Sequence, residues 1–201
     1  MKLYYAYMTS SLRPRWLLEE LAVPHELVHL SLAAGDHKRA EYLEIHPHGH
    51  VPALVDGALV VTESAAICLH LADRFADRGL APALGSPARA RYYEWIMFAM
   101  TALTQRVVDV YHRAYFGPPE RRAETATDDE RAALAQLLEP LARHLERHGH
   151  VTGEGFSAAD IVLAGVLEWA RVSGQLRGCA AVEAYLERVR ARPAFQRASA
   201  D

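Results

Sequence analysis

The sequence predicts two domains, an α/β domain followed by an all-helical one. Two observations lead to this prediction. Residues 1–77 alternate between short strand-like apolar runs and helical patterns, whereas residues 88–201 show helical patterns alone. Residues 78–87 between them carry two glycines and two prolines without any periodicity, which is typical of a linker.

The first domain is expected to begin with a strand, a helix and a second strand. Residues 2–7 alternate and are rich in tyrosine, which indicates a strand. Pro14 suits the first turn of the next helix because its missing N–H group needs no partner there. Residues 25–32 alternate again, and a helical connection makes the two strands parallel. The apolar face of the helix is expected to contain Trp16, Leu17, Leu18 and Leu21, with Arg13, Arg15, Glu19 and Glu20 around it.

A short helix, a hairpin and a further helix are expected to complete this domain. The pattern predicts the short helix over residues 39–45. Asp56-Gly57 lies between two apolar runs and predicts a type I′ hairpin turn. Thr62 and Ser64 suit a helix start, where their hydroxyls can cap free N–H groups. This order of elements is that of a thioredoxin-like domain with an antiparallel final hairpin.

The second domain is expected to be a helical bundle. Residues 88–115 predict a long amphipathic helix that ends at Gly-Pro-Pro, residues 117–119. Residues 128–148 predict another, in which Pro140 indicates a kink or break. Ser157 and Asp160 have the spacing of a capping box before an apolar helix that is expected to form the buried centre. Two further helices are predicted over residues 181–191 and from Arg192 onward.

Composition and charge exclude several classes of function. A net charge of −3 gives no electrostatic footprint for nucleic acid. No apolar run is long enough to span a membrane, and the first residues are strand-like rather than a signal peptide. Cys68 and Cys179 form no redox motif and are expected to be packing thiols of a cytoplasmic protein. His46, His48 and His50 alternate without a cysteine or carboxylate nearby, so no metal site is predicted.

Residues 51–54 (Val-Pro-Ala-Leu), the hairpin and the Glu63-Ser64 pair resemble the glutathione transferase family. The resemblance extends over the whole chain, through the capped segment 156–160 and the closing Arg-Pro-Ala-Phe of residues 192–195. It implies a thioredoxin-like domain followed by a helical domain. It also implies a homodimeric cytosolic enzyme of detoxification that conjugates glutathione, its co-substrate, to a hydrophobic electrophile without a metal.

The resemblance implies a set of glutathione-binding residues. The Val51–Pro52 peptide bond is expected to be cis, so that the backbone of Val51 pairs with the cysteinyl part. Glu63 would bind the γ-glutamyl ammonium, and Ser64 with its helix N-terminus the carboxylate. Lys38 has the most dependable charge for the glycyl carboxylate, because histidine is mostly neutral at pH 7. The candidates for that carboxylate are His37, Lys38 and His50.

The thiolate is expected to bind a donor between the first strand and the first helix. Ser10 stands where bacterial beta-type transferases carry a cysteine, and Thr104 where they carry a histidine. Ser11, four residues before Arg15, fits the theta-like pattern, and the two serines followed by Arg13 and Arg15 partly match zeta-type isomerases. We favour Ser11 over Ser10, and capping by both serines is the alternative. The other candidate donors are Tyr5, Tyr7 and Thr9.

The resemblance also implies a second-substrate pocket and a dimer face. At helical spacing, the pocket residues could equally be core residues. Candidates for the pocket are Tyr7, Met8, Met97, Met100, Thr104, Val108 and Tyr111. Apolar material for the dimer face is expected from Cys68, Leu69, Tyr92, Tyr93 and Trp95. The alternative functions are a maleylacetoacetate-type isomerase, in which Arg13 and Arg15 grip a diacid, and a non-catalytic binding module.

Overall fold

A computed structural model of the chain describes residues 1–118, 120 and 126–200. The chain forms two compact units. The first contains Met1–Gly79 together with the residues from Arg192 onward, and the second contains Leu80–Ala191. The sequence-based division placed residues 192–201 in the helical domain, whereas the structure groups them with the α/β unit.

The first unit is built on a four-stranded sheet in the order β2-β1-β3-β4. The central strand β1 is parallel to β2, and β3 is antiparallel to β4, as the pattern predicted. Strand β1 is also antiparallel to β3. Leu3 on β1 lies opposite Leu27 on one side and Leu54 on the other, and both Leu3 and Leu54 are fully buried. The strands are β1 (Lys2–Tyr5), β2 (Glu26–His29), β3 (Ala53–Asp56) and β4 (Leu59–Thr62).

The hairpin turn lies one residue later than its motif indicated. Asp56 pairs with Leu59, so the two loop residues are Gly57 and Ala58. Of these two, only Gly57 has a positive φ, at 64°. A positive φ at the first central residue alone is the requirement of a type II′ turn, so the prediction of a type I′ turn is wrong.

The first unit also contains four α-helices among its described residues. Helix α3 begins directly after β4, but among the described residues no side chain caps it, so the predicted capping by Thr62 and Ser64 is wrong. Two short 3₁₀ turns, Asp36–Lys38 and Ala76–Arg78, lie between the helices. The helices are α1 (Leu12–Leu21), α2 (Ala40–Leu43), α3 (Ser64–Arg74) and α9 (Pro193–Ser199).

Helix α9 belongs to the first unit because it packs along α1. The rings of Trp16 and Phe195 lie 4.9 Å apart, edge to face. Arg192 binds Glu20 through two hydrogen bonds of 2.6 and 2.8 Å. The apolar face predicted for α1 is buried, and Arg13 and Arg15 are buried with it rather than placed around it.

The described residues of the second unit form helices and the loops between them, without any strand. The single helix predicted over residues 88–115 is divided by a π-helical segment, Ala99–Leu103. Its end at Phe116 is followed by Gly117, while Pro119 lies outside the described residues. Helix α6 runs through Pro140 without a break. The helices are α4 (Pro87–Phe98), α5 (Thr104–Phe116), α6 (Asp128–His148), α7 (Ala158–Val172) and α8 (Ala180–Arg190).

Helix α7 forms the buried centre of this unit, as predicted. Its capping box is present, because Asp160 Oδ2 accepts a hydrogen bond of 2.9 Å from the Ser157 N–H group. The other oxygen, Oδ1, accepts bonds from the N–H group of Val151 at 3.1 Å and the hydroxyl of Tyr185 at 2.9 Å. Asp160 is fully buried, so this carboxylate joins α7, α8 and the preceding loop. No helix among the described residues is long and apolar enough to cross a membrane.

Candidate functional site

The Val51–Pro52 peptide bond is cis, which confirms the prediction. Pro52 is buried at the start of β3, and Val51 is half-buried. The carbonyl oxygen of Val51 lies 3.4 Å from the hydroxyl of Ser10, which donates to it. This contact joins the loop before β3 to the loop after β1, so two of the predicted glutathione-binding segments are neighbours.

Ser64, the first residue of α3, is tied to a buried arginine. Its hydroxyl accepts a hydrogen bond of 2.9 Å from Nη1 of Arg13, whose side chain is only 1% exposed. Burial lowers the pKa of Arg13 to about 10, so the guanidinium is still charged at neutral pH. Burial raises the pKa of the nearby Cys68 thiol to about 12, so that thiol is neutral. A positive charge therefore lies behind Ser64 at the N-terminus of α3, where the helix dipole also favours an anion.

Glu63 occupies the position immediately before α3 in an unusual conformation. Its φ is 66° and its ψ 118°, a left-handed geometry that costs a non-glycine residue free energy. The side chain is exposed beside the start of α3. Backbone strain of this kind is concentrated at ligand-binding sites, so the strain at Glu63 supports a role for its carboxylate.

Ser10 and Ser11 differ in accessibility. Ser11 is fully buried, and its hydroxyl oxygen lies 2.8 Å from Oγ1 of Thr9 and 3.4 Å from the N–H group of Ala6. It makes no capping bond to α1, so the capping alternative does not describe it. Ser10 is half-exposed and faces Val51. Ser10 is therefore the more accessible of the two hydroxyls, although the sequence analysis favoured Ser11.

Aromatic residues surround Arg15 beside these serines. The guanidinium carbon of Arg15 lies 4.4 Å from the ring centre of Tyr5 and 5.4 Å from that of Tyr7. The two tyrosine hydroxyls are 3.2 Å apart, and the ring of His29 lies 4.8 Å from that of Tyr7. Nη2 of Arg15 donates to the carbonyl oxygen of Ala200 at 3.2 Å. No sequence pattern indicated His29, because it lies on β2 whereas Tyr5 lies on β1.

Lys38 lies beside the turn that precedes Val51. Its Nζ donates hydrogen bonds of 3.0 Å to the carbonyl oxygens of His48 and Gly49. An ammonium group has three donors, so one is left for a ligand. Gly49 has a φ of 58°, and a Cβ there would lie 2.5 Å from the carbonyl oxygen of His37. His50 is exposed at the end of this turn.

Comparison with known proteins identifies the family. The description "Glutathione S-transferase, N-terminal domain" matches residues 1–73, and "Glutathione S-transferase, C-terminal domain" matches residues 124–191. The glutathione S-transferase GstA of Escherichia coli O157:H7 is 31% identical over 202 residues, covering 98% of this chain and 96% of the relative. The chain belongs to the glutathione S-transferase family. It is an enzyme of this family, whose activity is the conjugation of glutathione.

Two further similarities bear on the site. A sphingomonad glutathione S-transferase complexed with glutathione has 31% sequence identity and a TM-score of 0.79, covering 99% of this chain and 97% of that chain. The disulfide-bond oxidoreductase YfcG of Escherichia coli (strain K12) is 28% identical over 200 residues, covering 96% of this chain and 91% of the relative. The relatives of this chain are therefore named for two different reactions, glutathione transfer and disulfide-bond oxidoreduction.

The residues predicted to line the second-substrate pocket of the transferase belong to both units. Tyr7 and Met8 lie in the first unit, and Met8 is exposed with a φ of 57°. In the second unit Met97 is exposed, whereas Tyr111 is buried and its ring stacks on that of Trp169 at 5.2 Å. Tyr111 is therefore a core residue of that unit. Half-buried positions are held by Met100, Thr104 and Val108.

The three alternating histidines lie close to one another. The ring centres of His46, His48 and His50 are 5.7–6.2 Å apart. Among the described residues no group of three or more His, Cys, Asp or Glu side chains is arranged to hold a metal ion. His46 is buried, and burial followed by the neighbouring His50 and His48 lowers its pKa.

Proposed function

We propose that this chain binds glutathione on its first unit and conjugates the thiol to a hydrophobic electrophile. The observation that carries the proposal is the pair of long-range bonds that join three binding segments. Ser10 donates to Val51, and Arg13 donates to Ser64. Together they hold the start of α1, the cis-proline loop and the start of α3 in one place.

In this proposal each charged group of glutathione has a partner. The γ-glutamyl carboxylate binds at the N-terminus of α3, where Ser64 and the buried charge of Arg13 supply the attraction. The γ-glutamyl ammonium pairs with the exposed carboxylate of Glu63. The cysteinyl backbone pairs with Val51. The third donor of Lys38 serves the glycyl carboxylate, and His37 and His50 lie in the same region.

The chemical step requires a donor that favours the thiolate. Only the thiolate is an effective nucleophile, and a free thiol is mostly protonated at neutral pH. We assign the donor role to the half-exposed Ser10 hydroxyl, which lies beside Val51, the residue that binds the cysteinyl part in this proposal. Its single proton points to the Val51 carbonyl in the free chain, so it must turn to the thiolate when glutathione binds. The bonds of Ser11 to Thr9 and Ala6 instead hold the turn that presents Ser10.

The positions of the two arginines do not support the isomerase alternative. It requires Arg13 and Arg15 to grip a diacid, but both side chains are buried. Arg13 donates to Ser64, and Arg15 stacks on Tyr5 and donates to the chain near its C-terminus. An apolar electrophile therefore fits the described residues better than a diacid.

Reduction of disulfides with glutathione is a second candidate, favoured by the similarity to YfcG over 96% of this chain. It needs the same glutathione site and the same thiolate, but its second substrate is a disulfide rather than a carbon electrophile. Both cysteines of the chain are free thiols, and Cys68 is buried, so the reacting thiol would be that of glutathione.

The proposed function is tested by calorimetry and a substrate panel. Purified enzyme should bind glutathione, and Ser64→Ala should weaken that binding about tenfold or more, since it removes a hydroxyl at the carboxylate site. Ser86→Ala, which removes a helix-cap hydroxyl of the second unit, is the control and should bind as wild type. A panel of aromatic electrophiles and small disulfides, followed by glutathione consumption, separates the two candidate reactions. No glutathione binding at millimolar concentration would refute both.

The chain is also proposed to act in the cytoplasm as a homodimer. Free cysteines fit a reducing compartment. Two residues expected at the dimer face, Cys68 and Tyr92, are fully buried within the chain itself and cannot form it. Tyr93 is exposed, as are other apolar side chains, among them Leu59, Val60 and Met97.

A further inference from the structure

Two histidines share one face of the last turns of α6. His144 and His148 are four residues apart, which places them as neighbours on a helix surface. Their ring centres are 4.6 Å apart, and the rings are tilted by 35°. His148 is exposed and His144 is half-buried, so the pair is open to solvent on one side.

This separation matches that of two imidazoles on one metal ion. Metal–nitrogen bonds of about 2.0–2.1 Å at angles of about 90–109° place the two ring centres about 4.5–5.2 Å apart. The distance of 4.6 Å between His144 and His148 lies within that interval. The distances of 5.7–6.2 Å among His46, His48 and His50 lie outside it.

A hydrogen bond fixes which nitrogen of His144 can bind a metal. Its Nε2 lies 3.3 Å from the carbonyl oxygen of His150. A carbonyl oxygen only accepts, so Nε2 carries the proton and Nδ1 carries the lone pair of the neutral ring. Metal-binding histidines commonly donate their other N–H group to a backbone carbonyl in this way, which orients the ring and raises its basicity.

We propose that His144 and His148 chelate a divalent first-row transition-metal ion. The rest of the coordination shell is water, since the described residues offer no third ligand. The position at the C-terminus of α6 favours a cation through the helix dipole. Arg147, which donates to the carbonyl oxygen of Arg143, adds an opposing positive charge and lowers the affinity. With two imidazole ligands the expected order of affinity is Cu²⁺ above Ni²⁺ and Zn²⁺.

The test is calorimetric titration of the untagged, chelator-treated chain with Cu²⁺, Ni²⁺ and Zn²⁺, without glutathione because its thiol binds these ions. We expect one ion per chain. His148→Ala should weaken binding about tenfold or more, because a single imidazole no longer chelates. The double variant His144→Ala/His148→Ala should lose little more than the single one, a non-additivity that two independent ligands would not show.

The matched control is His48→Ala, which removes an exposed histidine from the group of His46, His48 and His50. It should bind metal as wild type does. Equal affinity of wild type and His148→Ala would overturn the proposal, and so would loss of binding in His48→Ala. Thermal melts give a second readout, since excess metal should raise the Tm of wild type but not of His148→Ala. Circular dichroism without metal shows that each variant is folded. The proposal is independent of glutathione binding.

Discussion

At the scale of single residues, we propose a chemical role for Ser10 and a structural role for the adjacent Ser11. Ser10 presents its hydroxyl beside Val51, whereas Ser11 is enclosed with Thr9 and Ala6. Sequence patterns could not separate them, because both fit a transferase motif and their burial depends on the turn between β1 and α1. For this reason our proposal places Ser10 before Ser11, whereas the sequence analysis favoured Ser11.

Ser10→Ala is expected to lower kcat while leaving the affinity for glutathione nearly intact. A hydroxyl that lowers the thiol pKa of bound glutathione by one to two units contributes about 1.4–2.7 kcal/mol. Turnover should therefore fall about ten- to a hundredfold. Steady-state kinetics and calorimetry on the same variant measure both quantities.

Ser11→Ala is the matched change. Loss of this enclosed hydroxyl should lower the free energy of unfolding by about 1–2 kcal/mol. It should lower turnover less than Ser10→Ala does. If Ser11→Ala lowered turnover at unchanged stability while Ser10→Ala did not, the assignment of Ser10 would be wrong.

His46 is expected to make the chain less stable in mild acid. Burial lowers its pKa in the folded state below the ordinary value of about 6.5, and His50 and His48 add to this. The unfolded chain therefore binds the proton more readily than the folded chain. Stability is full above about pH 6.5 and is lost as the pH falls from there toward the lowered pKa.

Urea midpoints at pH 7.5 and 5.5 measure this effect. His46→Gln should reduce the difference between the two midpoints, whereas His112→Gln, at an exposed position of α5, should leave it unchanged. An identical pH dependence in wild type and His46→Gln would exclude His46 as the source.

At the scale of elements, the capping box of α7 does more than its motif indicates. The motif alone predicts a lost cap worth about 1 kcal/mol on replacement of Asp160. In the structure the buried carboxylate also accepts from Val151 and Tyr185, which are far apart in sequence. This interaction of three elements could not be read from the local spacing of Ser157 and Asp160.

Asp160→Ala is therefore expected to lower the free energy of unfolding by about 3 kcal/mol or more. It leaves the buried donors of Val151 and Tyr185 without their acceptor. Thr127→Ala removes the exposed capping box of α6 and should cost only about 1 kcal/mol. Chemical denaturation of both variants compares the two helix starts. Equal losses of unfolding free energy in Asp160→Ala and Thr127→Ala would mean that Asp160 acts as a simple cap.

The π-helical segment is an element that the sequence did not reveal. Residues 88–115 contain neither glycine nor proline, so their composition marks no interruption of the helix. In the structure the hydroxyl of Thr104 donates to the carbonyl oxygen of Ala99, five residues earlier, at 2.7 Å. π-Helical turns are frequent at functional sites, and this one lies among the residues expected to contact the second substrate, including Met100.

At the scale of the whole molecule, the features predicted from the sequence are those that local patterns or the family resemblance determine. The parallel pairing of the first two strands, the antiparallel hairpin and the central helix α7 were predicted from local patterns, and the cis bond at Pro52 from the family resemblance. Long-range packing was not predicted. The burial of Arg13 beneath Ser64 and the return of α9 to the first unit both depend on contacts more than fifty residues apart.

A homodimer is the last expectation at this scale. The first unit exposes Leu59 and Val60 on β4, an edge strand of the sheet, and exposed apolar edges favour pairing with another chain. Light scattering should give twice the chain mass of 22.3 kDa. Val60→Lys places a charge on this edge and should shift the mass toward that of the monomer. Leu84→Lys, at a residue that is 80% exposed, should leave the dimer intact. A monomer across a wide concentration range would contradict the dimer, and a dimer in Val60→Lys would place the interface elsewhere.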